Sequence, residues 1–210
     1  MSKQTDYIKN IENIERRFFT APVTIEVRED GDKQKATIEG MAALFNSRTN
    51  IGDWFEEEVL PGAFDDVLDN DVRCLFNHNP NFVLARSNDG KGTLKLEVTE
   101  TGLKYSYVTP NRSYAKDLED AITSGDISGS SFAFRIKEEK WITREGKMDL
   151  RQIVKFERLL DVSPVTFPAY EDATVGKRSQ ETFRASEIEV NNPETIETKS
   201  VFEAQILINK

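Results

Sequence analysis

Residues 127 to 136 read ISGSSFAFRI and combine a strand pattern with a serine-rich start. Over its second half, large apolar side chains alternate with small or polar ones, which is the pattern of a β-strand with one buried face. The face expected to be buried carries Phe132, Phe134 and Ile136. The opposite face carries Ser131, Ala133 and Arg135. The first half consists largely of serine and glycine, whose small side chains let another backbone or a ligand approach closely.

The segments around this strand predict a β-rich fold with few helices. Apolar alternation between turn signals predicts strands or hairpins over residues 23–40, 72–78, 93–108 and 153–166. Helical spacing of apolar residues predicts one clear helix over 111–124 and a short one over 63–68. The charged segment 137–149 is predicted to be a hairpin loop. The fold class is therefore β-rich α+β, with an antiparallel β-barrel or sandwich flanked by helices.

The two ends of the chain are more polar than its middle. Residues 1–17 are predicted to be a polar, loosely attached N-terminal arm, residues 18–176 the single domain, and residues 177–210 a polar C-terminal tail. Within the tail, residues 201–208 are apolar enough to dock on a surface or to serve as a recognition peptide.

Length and composition exclude several classes of protein. The 210 residues suffice for one domain with extensions or for two small ones. A net charge of −9 argues against a protein that wraps nucleic acid or lies on an anionic membrane. One cysteine, Cys74, and one histidine, His78, provide neither a disulfide nor a Cys/His zinc site, so we expect no metal and no cofactor. The sequence has no apolar run of membrane-spanning length and no signal peptide, which predicts a soluble protein of a reducing cytosol.

His78 is the single imidazole base that a mechanism could use. It comes at the end of the predicted strand 72–78, beside Asn77 and Asn79 and before the turn at Pro80. A polar group at the mouth of an apolar face is typical of active sites. The alternative is a structural histidine, which composition alone favours.

A nucleophile for His78 has two candidates, a thiol and a hydroxyl. Cys74 lies four residues away, which is about 13 Å along a strand, so we interpret it as a small core residue. If the phenylalanines of the strand are core, Ser131 is the exposed hydroxyl on the opposite face. The alternative is that the serines of 128–131 only cap and begin the strand.

Asp161 interrupts the apolar run Leu159-Leu160-Asp161-Val162, where a carboxylate facing solvent is not expected. A buried carboxylate needs a partner. A histidine that becomes charged during catalysis would be one, and would complete a Ser-His-acid arrangement. An arginine such as Arg135 or Arg158 is the alternative partner.

Seven short motifs in this order resemble the head-maturation (prohead) serine protease family of tailed bacteriophages. The motifs are GMAALFN (40–46), PGAF (61–64), LFNHNP (75–80), GTL (92–94), GL (102–103), GDISGSSFAF (125–134) and VSPVTFPAY (162–170). That family is similar in fold to the herpesvirus assembly protease, assemblin, so the resemblance implies an assemblin-like antiparallel β-barrel flanked by helices. It covers residues 18 to 175 and makes 18–176 the protease domain.

The resemblance also implies roles for three residues. His78 would be the general base, Ser131 the nucleophile and Asp161 the acid that orients His78. Asp161 departs from the family, which often has a glutamate there, and the shorter side chain is expected to lengthen the contact with His78. Another departure is Ala85, where a glycine is usual.

For function, the resemblance implies a serine endopeptidase that cleaves the scaffold, an extension of the major capsid protein, or both, and that trims itself. Its partners would be the capsid protein and scaffold, with the portal and a second copy of the chain as further candidates, although no sequence feature marks a dimer face. It would act in the bacterial cytoplasm, inside the procapsid during virion assembly, with no nucleic acid, membrane or cofactor involved. The alternative function is a non-catalytic, scaffold-like protein that binds procapsid components.

Overall fold

The computed structural model describes residues 13–19, 23–30, 33–167 and 174–190. The strands in these ranges are β1 (Glu15–Phe19), β2 (Thr24–Asp30), β3 (Lys33–Leu44), β4 (Thr49–Ile51), β5 (Phe55–Val59), β6 (Val72–Leu75), β7 (Val83–Asn88), β8 (Lys91–Gly92), β9 (Leu94–Val98), β10 (Gly102–Val108), β11 (Gly129–Ile142) and β12 (Leu150–Val165). The helices in the same ranges are α1 (Ser113–Thr123) and α2 (Thr174–Val190). The chain divides into two units, residues 1–173 and 174–210, and α2 belongs to the second.

The strands of the first unit form two sheets. The larger sheet has the order β1-β11-β12-β6-β7-β8, and β5 pairs with both β12 and β4. The smaller sheet has the order β2-β3-β10-β9. At the centre of the larger sheet, β11 and β12 run antiparallel from the pair Gly129 and Val165 to the pair Ile142 and Leu150.

The buried face of β11 forms the centre of the aromatic core. Phe132 and Phe134 are fully buried and stack with their ring centres 4.6 Å apart. Phe64 and Phe156, also buried, pack against them, and their own ring centres are 4.5 Å apart. Each buried phenylalanine contributes about 1.5–3 kcal/mol to folding. The burial of Phe132 and Phe134 confirms that their side of the strand faces the core.

Local sequence patterns identified several elements correctly. The predicted hairpin over 23–40 is β2 and β3, which pair antiparallel from Thr24 and Glu39 to Asp30 and Lys33. The predicted hairpin over 93–108 is β9 and β10. The predicted helix over 111–124 is α1, whose apolar face is buried at Ala115, Leu118 and Ile122.

The prediction of a purely antiparallel sheet is wrong at two pairings. β12 runs parallel to β5 from Leu150 and Glu56 onward, and parallel to β6 at Asp161 and Arg73. These partners are far apart along the chain, so alternation within a strand carries no information about them. Among the described strands, β1 and β8 end the larger sheet and β2 and β9 end the smaller one, and the hydrogen-bonded ladders do not close into a barrel. The β-rich α+β class stands, the closed barrel is not found among the described strands, and the assemblin-like fold remains a prediction.

The short helix predicted over 63–68 is also wrong. The segment forms successive turns, with the Asp65 N–H bonded to the Gly62 carbonyl and the Val67 N–H to the Phe64 carbonyl. A helix is prevented because the Ala63 carbonyl accepts the N–H of Phe156 from β12, 3.0 Å away. The apolar spacing that suggested a helix instead buries side chains of this segment in the core.

Two predicted strand boundaries differ from the structure. The strand expected over 72–78 ends at Leu75, so His78 lies on the loop after β6. The loop expected over 137–149 is confined to 143–149, because β11 continues to Ile142. Its charged residues remain in the ladder with largely exposed side chains, and charge is tolerated on a strand wherever one face is solvated.

Regular secondary structure includes residues that were assigned to the N-terminal arm and to the C-terminal tail. Residues 15–17, assigned to the arm, form the start of β1, and Glu15 and Arg17 are buried. Residues 174–190, largely assigned to the tail, form α2. Residues 1–12 and the apolar stretch 201–208 lie outside the described residues, and the boundaries at 18 and 176 remain predictions. In the part of the chain that the structure describes, no helix has the length and apolarity to cross a membrane.

Candidate active site

The paired strands β11 and β12 carry two of the three predicted site residues on one face. Ser131 lies opposite Ser163, and Ala133 lies opposite Asp161. Because side chains two residues apart on a strand point to the same side, Asp161 shares this face with Ser163 and Ser131. The face is the one opposite the phenylalanine core.

His78 reaches this face from the loop that follows β6. The parallel pairing of β6 with β12 sets the end of β6 beside Asp161. The chain then turns sharply, since Asn77 and His78 have φ values of 53° and 56°, in the left-handed region. Asparagine tolerates this conformation well, whereas in other residues it is uncommon and found where the surroundings enforce it.

Asn77 holds this turn against the end of β12. Its backbone N–H donates to the Pro164 carbonyl over 3.1 Å. Its side-chain oxygen accepts the N–H of Thr166 at 2.8 Å, and its amide nitrogen lies 3.0 Å from the Thr166 hydroxyl. Three hydrogen bonds from one residue therefore fix the backbone next to the imidazole.

The three predicted residues come together in one hydrogen-bonded row. His78 Nε2 lies 2.7 Å from the Ser131 Oγ, and His78 Nδ1 lies 2.6 Å from the Asp161 Oδ1. The expectation that the shorter aspartate would lengthen its contact with His78 is therefore wrong. The left-handed turn brings the imidazole close to β12, so a longer acid is not needed to reach it.

The hydrogen bonds of this row determine which nitrogen of the neutral imidazole carries the proton. A carboxylate only accepts hydrogen bonds, so Nδ1 must carry the proton that Asp161 receives. Nε2 then presents its lone pair to the Ser131 hydroxyl, which can donate to it. This is the arrangement in which a histidine can accept a proton from a serine as the hydroxyl attacks a carbonyl.

The site is more enclosed than the sequence predicts. Ser131 is fully buried, and the His78 and Asp161 side chains are only 9% and 10% exposed. The expectation of an exposed Ser131 hydroxyl is therefore wrong, although the residue does face away from the core. Polar contacts in such an enclosed site are electrostatically stronger than in water.

Strand β1 contributes to this enclosure, because it pairs antiparallel with the strand of the serine. Phe18 is the cross-strand partner of Ser131, so both side chains lie on one face of the sheet. A Cβ atom on Gly129 would lie 2.2 Å from the Phe18 ring. A side chain at residue 129 would therefore have to displace the Phe18 ring.

Two other residues were candidates for this site, Cys74 as the nucleophile and Arg135 as the partner of Asp161. Cys74 is a buried free cysteine of the core, and burial, with the nearby charge of Asp161, raises the pKa of its thiol. Arg135, offered as a partner for Asp161, has its Nε 3.7 Å from Glu157. Among the described residues, no group of three or more His, Cys, Asp or Glu side chains is placed to hold a metal ion.

A second buried polar group was missed by the sequence analysis. Glu57 lies in the acidic run 56–58, yet it is 4% exposed and is bound by two buried arginines, Arg17 and Arg151. Glu15 completes the pairing from β1. Burial opposes the charge of Glu57, but the two arginines outweigh it and lower its pKa. The group fastens β1, and with it Phe18, to β5 and β12.

Ser163 is a further site residue that the sequence analysis passed over. It is fully buried, and its Oγ lies 2.7 Å from the Asp161 Oδ1 and 3.3 Å from the His78 Nδ1. Its position two residues after Asp161 in a predicted strand is the signal that would have found it.

This chain is similar to known proteins of tailed bacteriophages. Residues 23–186 match the family model described as caudovirus prohead serine protease. The prohead protease of Enterobacteria phage HK97 is 31% identical over 155 residues, which are 71% of this chain and 63% of that protein, so the match spans less than two thirds of the relative. The solved bacteriophage T4 capsid assembly protease has a TM-score of 0.48 and 12% identity, with coverage of 74% of this chain and 98% of that one. Since the family match includes most of the chain and all three residues of the row, the chain belongs to the caudovirus prohead serine protease family.

Proposed function

We propose that this chain is a serine endopeptidase that acts in the maturation of phage proheads. The observation that carries the proposal is the continuous row from the Ser131 Oγ through both nitrogens of His78 to Asp161, with contacts of 2.7 and 2.6 Å. Membership of the prohead protease family supports the same activity.

The proposed reaction is acyl transfer through Ser131. Its Oγ forms a bond to the carbonyl carbon of the peptide while its proton moves to Nε2 of His78. The C–N bond then breaks as His78 returns the proton to the leaving amine, and water releases the acyl group by the same steps. Asp161 holds the ring and stabilises its charged form, and backbone N–H groups stabilise the oxyanion.

The proposed substrates are the scaffold, an extension of the major capsid protein, or both, inside the procapsid in the host cytoplasm. The HK97 relative is a prohead protease, which supports this choice of substrates. Contacts with the portal and with a second copy of this chain remain predictions. Mass photometry of the chain at working concentration tests whether it binds a second copy of itself.

Self-cleavage is proposed for the polar ends, before Glu15 and after residue 176. Glu15 sets the first limit because it is buried and bound to Arg151 within the sheet. Intact-mass analysis of the stored protein is the test. The parent chain should shorten and Ser131→Ala should keep its full mass, whereas shortening of Ser131→Ala at the same rate would reject self-cleavage.

The catalytic role of Ser131 can be tested without a known substrate, using a fluorophosphonate probe and peptide mapping. One adduct is expected, on the peptide containing residues 129–135, and Ser131→Ala should lack it. Ser130→Ala is the matched control, because Ser130 is equally buried but bonds Tyr105 on the core face, at 2.9 Å. An adduct that persists in Ser131→Ala would refute the assignment of the nucleophile.

The complete burial of Ser131 is the observation that favours the alternative, a non-catalytic scaffold-like protein of the procapsid. Co-expression with the phage capsid proteins separates the two functions. A protease leaves cleaved capsid protein or scaffold that Ser131→Ala leaves intact. Equal assembly with no cleavage by either chain would favour the scaffold-like function.

A further inference from the structure

We propose that Ser163 is a positioning residue of this site, which holds the Asp161 carboxylate and selects the protonation state of His78. The inference rests on the proposed function, because it assigns Ser163 a part in activating Ser131. Ser163 does not touch the substrate carbonyl in this proposal and acts only through its two neighbours.

The position of Ser163 follows from the pairing of β11 and β12. It lies directly opposite Ser131 and two residues from Asp161, so the backbone places its hydroxyl between the acid and the imidazole. Its Oγ is 2.7 Å from the Asp161 Oδ1 and 3.3 Å from the His78 Nδ1. The same Oδ1 is 2.6 Å from Nδ1, so three polar atoms from three residues form a closed triangle.

The single proton of the hydroxyl decides what Ser163 does in this triangle. If Nδ1 carries a proton, the hydroxyl can only donate to the carboxylate, and its own lone pair faces the N–H of the ring. Two donors then converge on one carboxylate oxygen. Such charge-assisted bonds are stronger than neutral ones.

The opposite protonation state of the ring gains nothing from this geometry. A ring protonated at Nε2 would set a lone pair on Nδ1 against the carboxylate, and only the longer contact with Ser163 could satisfy it. That state also leaves no lone pair at Nε2 to accept the proton of Ser131. Because the Ser163 hydroxyl donates its proton to Asp161, it favours the imidazole that is protonated at Nδ1. The proposed reaction requires this protonation state.

The burial of Asp161 explains why a hydrogen-bond donor besides His78 is needed here. Asp161 is 10% exposed at its side chain, and a carboxylate with so little water around it needs donors from the protein. Ser163 is one such donor, and it is held in the β12 ladder, so its direction is fixed by the sheet.

The first test compares labelling rates of Ser131 with a fluorophosphonate, in which the Oγ–P bond forms, fluoride leaves and His78 takes the proton. Ser163→Ala should be about 10- to 100-fold slower than the parent chain. Ser163→Thr keeps the hydroxyl and should restore most of the rate. Ser130→Ala also removes a fully buried, hydrogen-bonded hydroxyl and should stay close to the parent. If Ser163→Ala does not fold, Ser163→Cys keeps the volume, has only a weak donor, and should be slow as well.

The second test uses the fact that His78 is the only histidine in the chain. Labelling histidine with ¹⁵N therefore gives ring signals from this residue alone, and their shifts separate Nδ1–H from Nε2–H. In the neutral ring of the parent chain, we expect the proton at Nδ1. In Ser163→Ala, the fraction with the proton at Nε2 should rise, and Ser163→Thr should reverse the change.

These results separate failure of the inference from failure of the proposed function. An unchanged labelling rate in Ser163→Ala, a loss that Ser163→Thr does not restore, or an unchanged ring spectrum would each overturn the role of Ser163 while Ser131 remains the nucleophile. Labelling that persists in Ser131→Ala would instead reject the proposed function, and the ring spectrum would still report whether Ser163 acts on His78.

Discussion

Replacing Arg151 with methionine is expected to destabilise the domain strongly. Arg151 is 2% exposed, and it donates to Glu15 at 2.8 and 3.0 Å, to Glu57 at 3.0 Å and to Glu139 at 2.7 Å. Burial alone would lower the pKa of Arg151, but the charges of Glu57 and Glu15 outweigh it and raise that pKa. The guanidinium therefore stays charged in the folded protein at every working pH.

The size of the effect follows from the charges that remain. The buried group joins three carboxylates, Glu15, Glu57 and Glu139, to two guanidiniums, and in the variant only Arg17 is left. Removing one partner of a buried ion pair typically costs about 3–5 kcal/mol, because a desolvated charge is left uncompensated. Methionine fills much of the volume, so the cost is electrostatic rather than a cavity.

The guanidinium also lies over two aromatic rings. Its carbon is 5.8 Å from the ring centre of Phe55 and 5.6 Å from that of Trp141. Each such contact adds about 0.5–1 kcal/mol, more when it is desolvated. Methionine can pack on the same rings and recover part of this contribution, so we keep the expected loss at about 3–5 kcal/mol.

Urea unfolding of the two chains, both carrying Ser131→Ala to prevent self-cleavage, measures this loss. In a thermal melt it corresponds to a decrease of about 6–20 °C in Tm for a chain of this size. Arg48→Met is the control, since Arg48 pairs with Glu58 but is 55% exposed at its side chain, and it should cost less than about 1 kcal/mol. If Arg151→Met costs no more than Arg48→Met, the buried group does not hold the strands together and the reasoning is wrong.

Three further predictions concern single residues. Burial opposes the charge of Glu57, but the two arginines outweigh it and lower the folded pKa, so the stability from this charge is present above the ordinary carboxyl pKa and is lost as the pH falls through the folded pKa. Urea unfolding at several pH values should therefore show a constant difference between parent and Glu57→Gln above about pH 5.5 and a shrinking one below it. Gly129→Ala should push the Phe18 ring out of place and slow fluorophosphonate labelling more than it lowers Tm, and an unchanged rate would contradict this. Asn77→Ala should slow labelling about tenfold by releasing the turn that places His78, and it should leave the peptide that is labelled unchanged.

The sequence predicted the parts of the fold that depend on neighbours along the chain. The alternation at Phe132 and Phe134 identified both the core strand and the face of Ser131, because side-chain direction on a strand is a local property. The same reasoning identified the hairpin over 93–108. It failed at 63–68, where the helical spacing was real but the Ala63 carbonyl is engaged by a distant strand.

What could not be predicted depends on contacts between distant segments. No local pattern indicates that β6 runs parallel to β12, yet this pairing brings the loop of His78 to Asp161. No local pattern indicates that Glu57 is buried, because its arginine partners come from other strands. The row of His78, Ser131 and Asp161 could be predicted because the chain has a single histidine. Strand alternation then indicated Ser131, and the interruption of an apolar run indicated Asp161.

The pairing of β11 limits how a peptide could reach Ser131. From residue 130 to residue 134, this strand has β1 on one side and β12 on the other. Its backbone groups are therefore committed on both edges, and a substrate cannot extend the sheet by pairing with the strand of the nucleophile. The peptide must approach from the face of the sheet, where Phe18 and His78 lie beside the serine. Because Ser131 is fully buried there, we expect side chains on that face to move when a peptide binds.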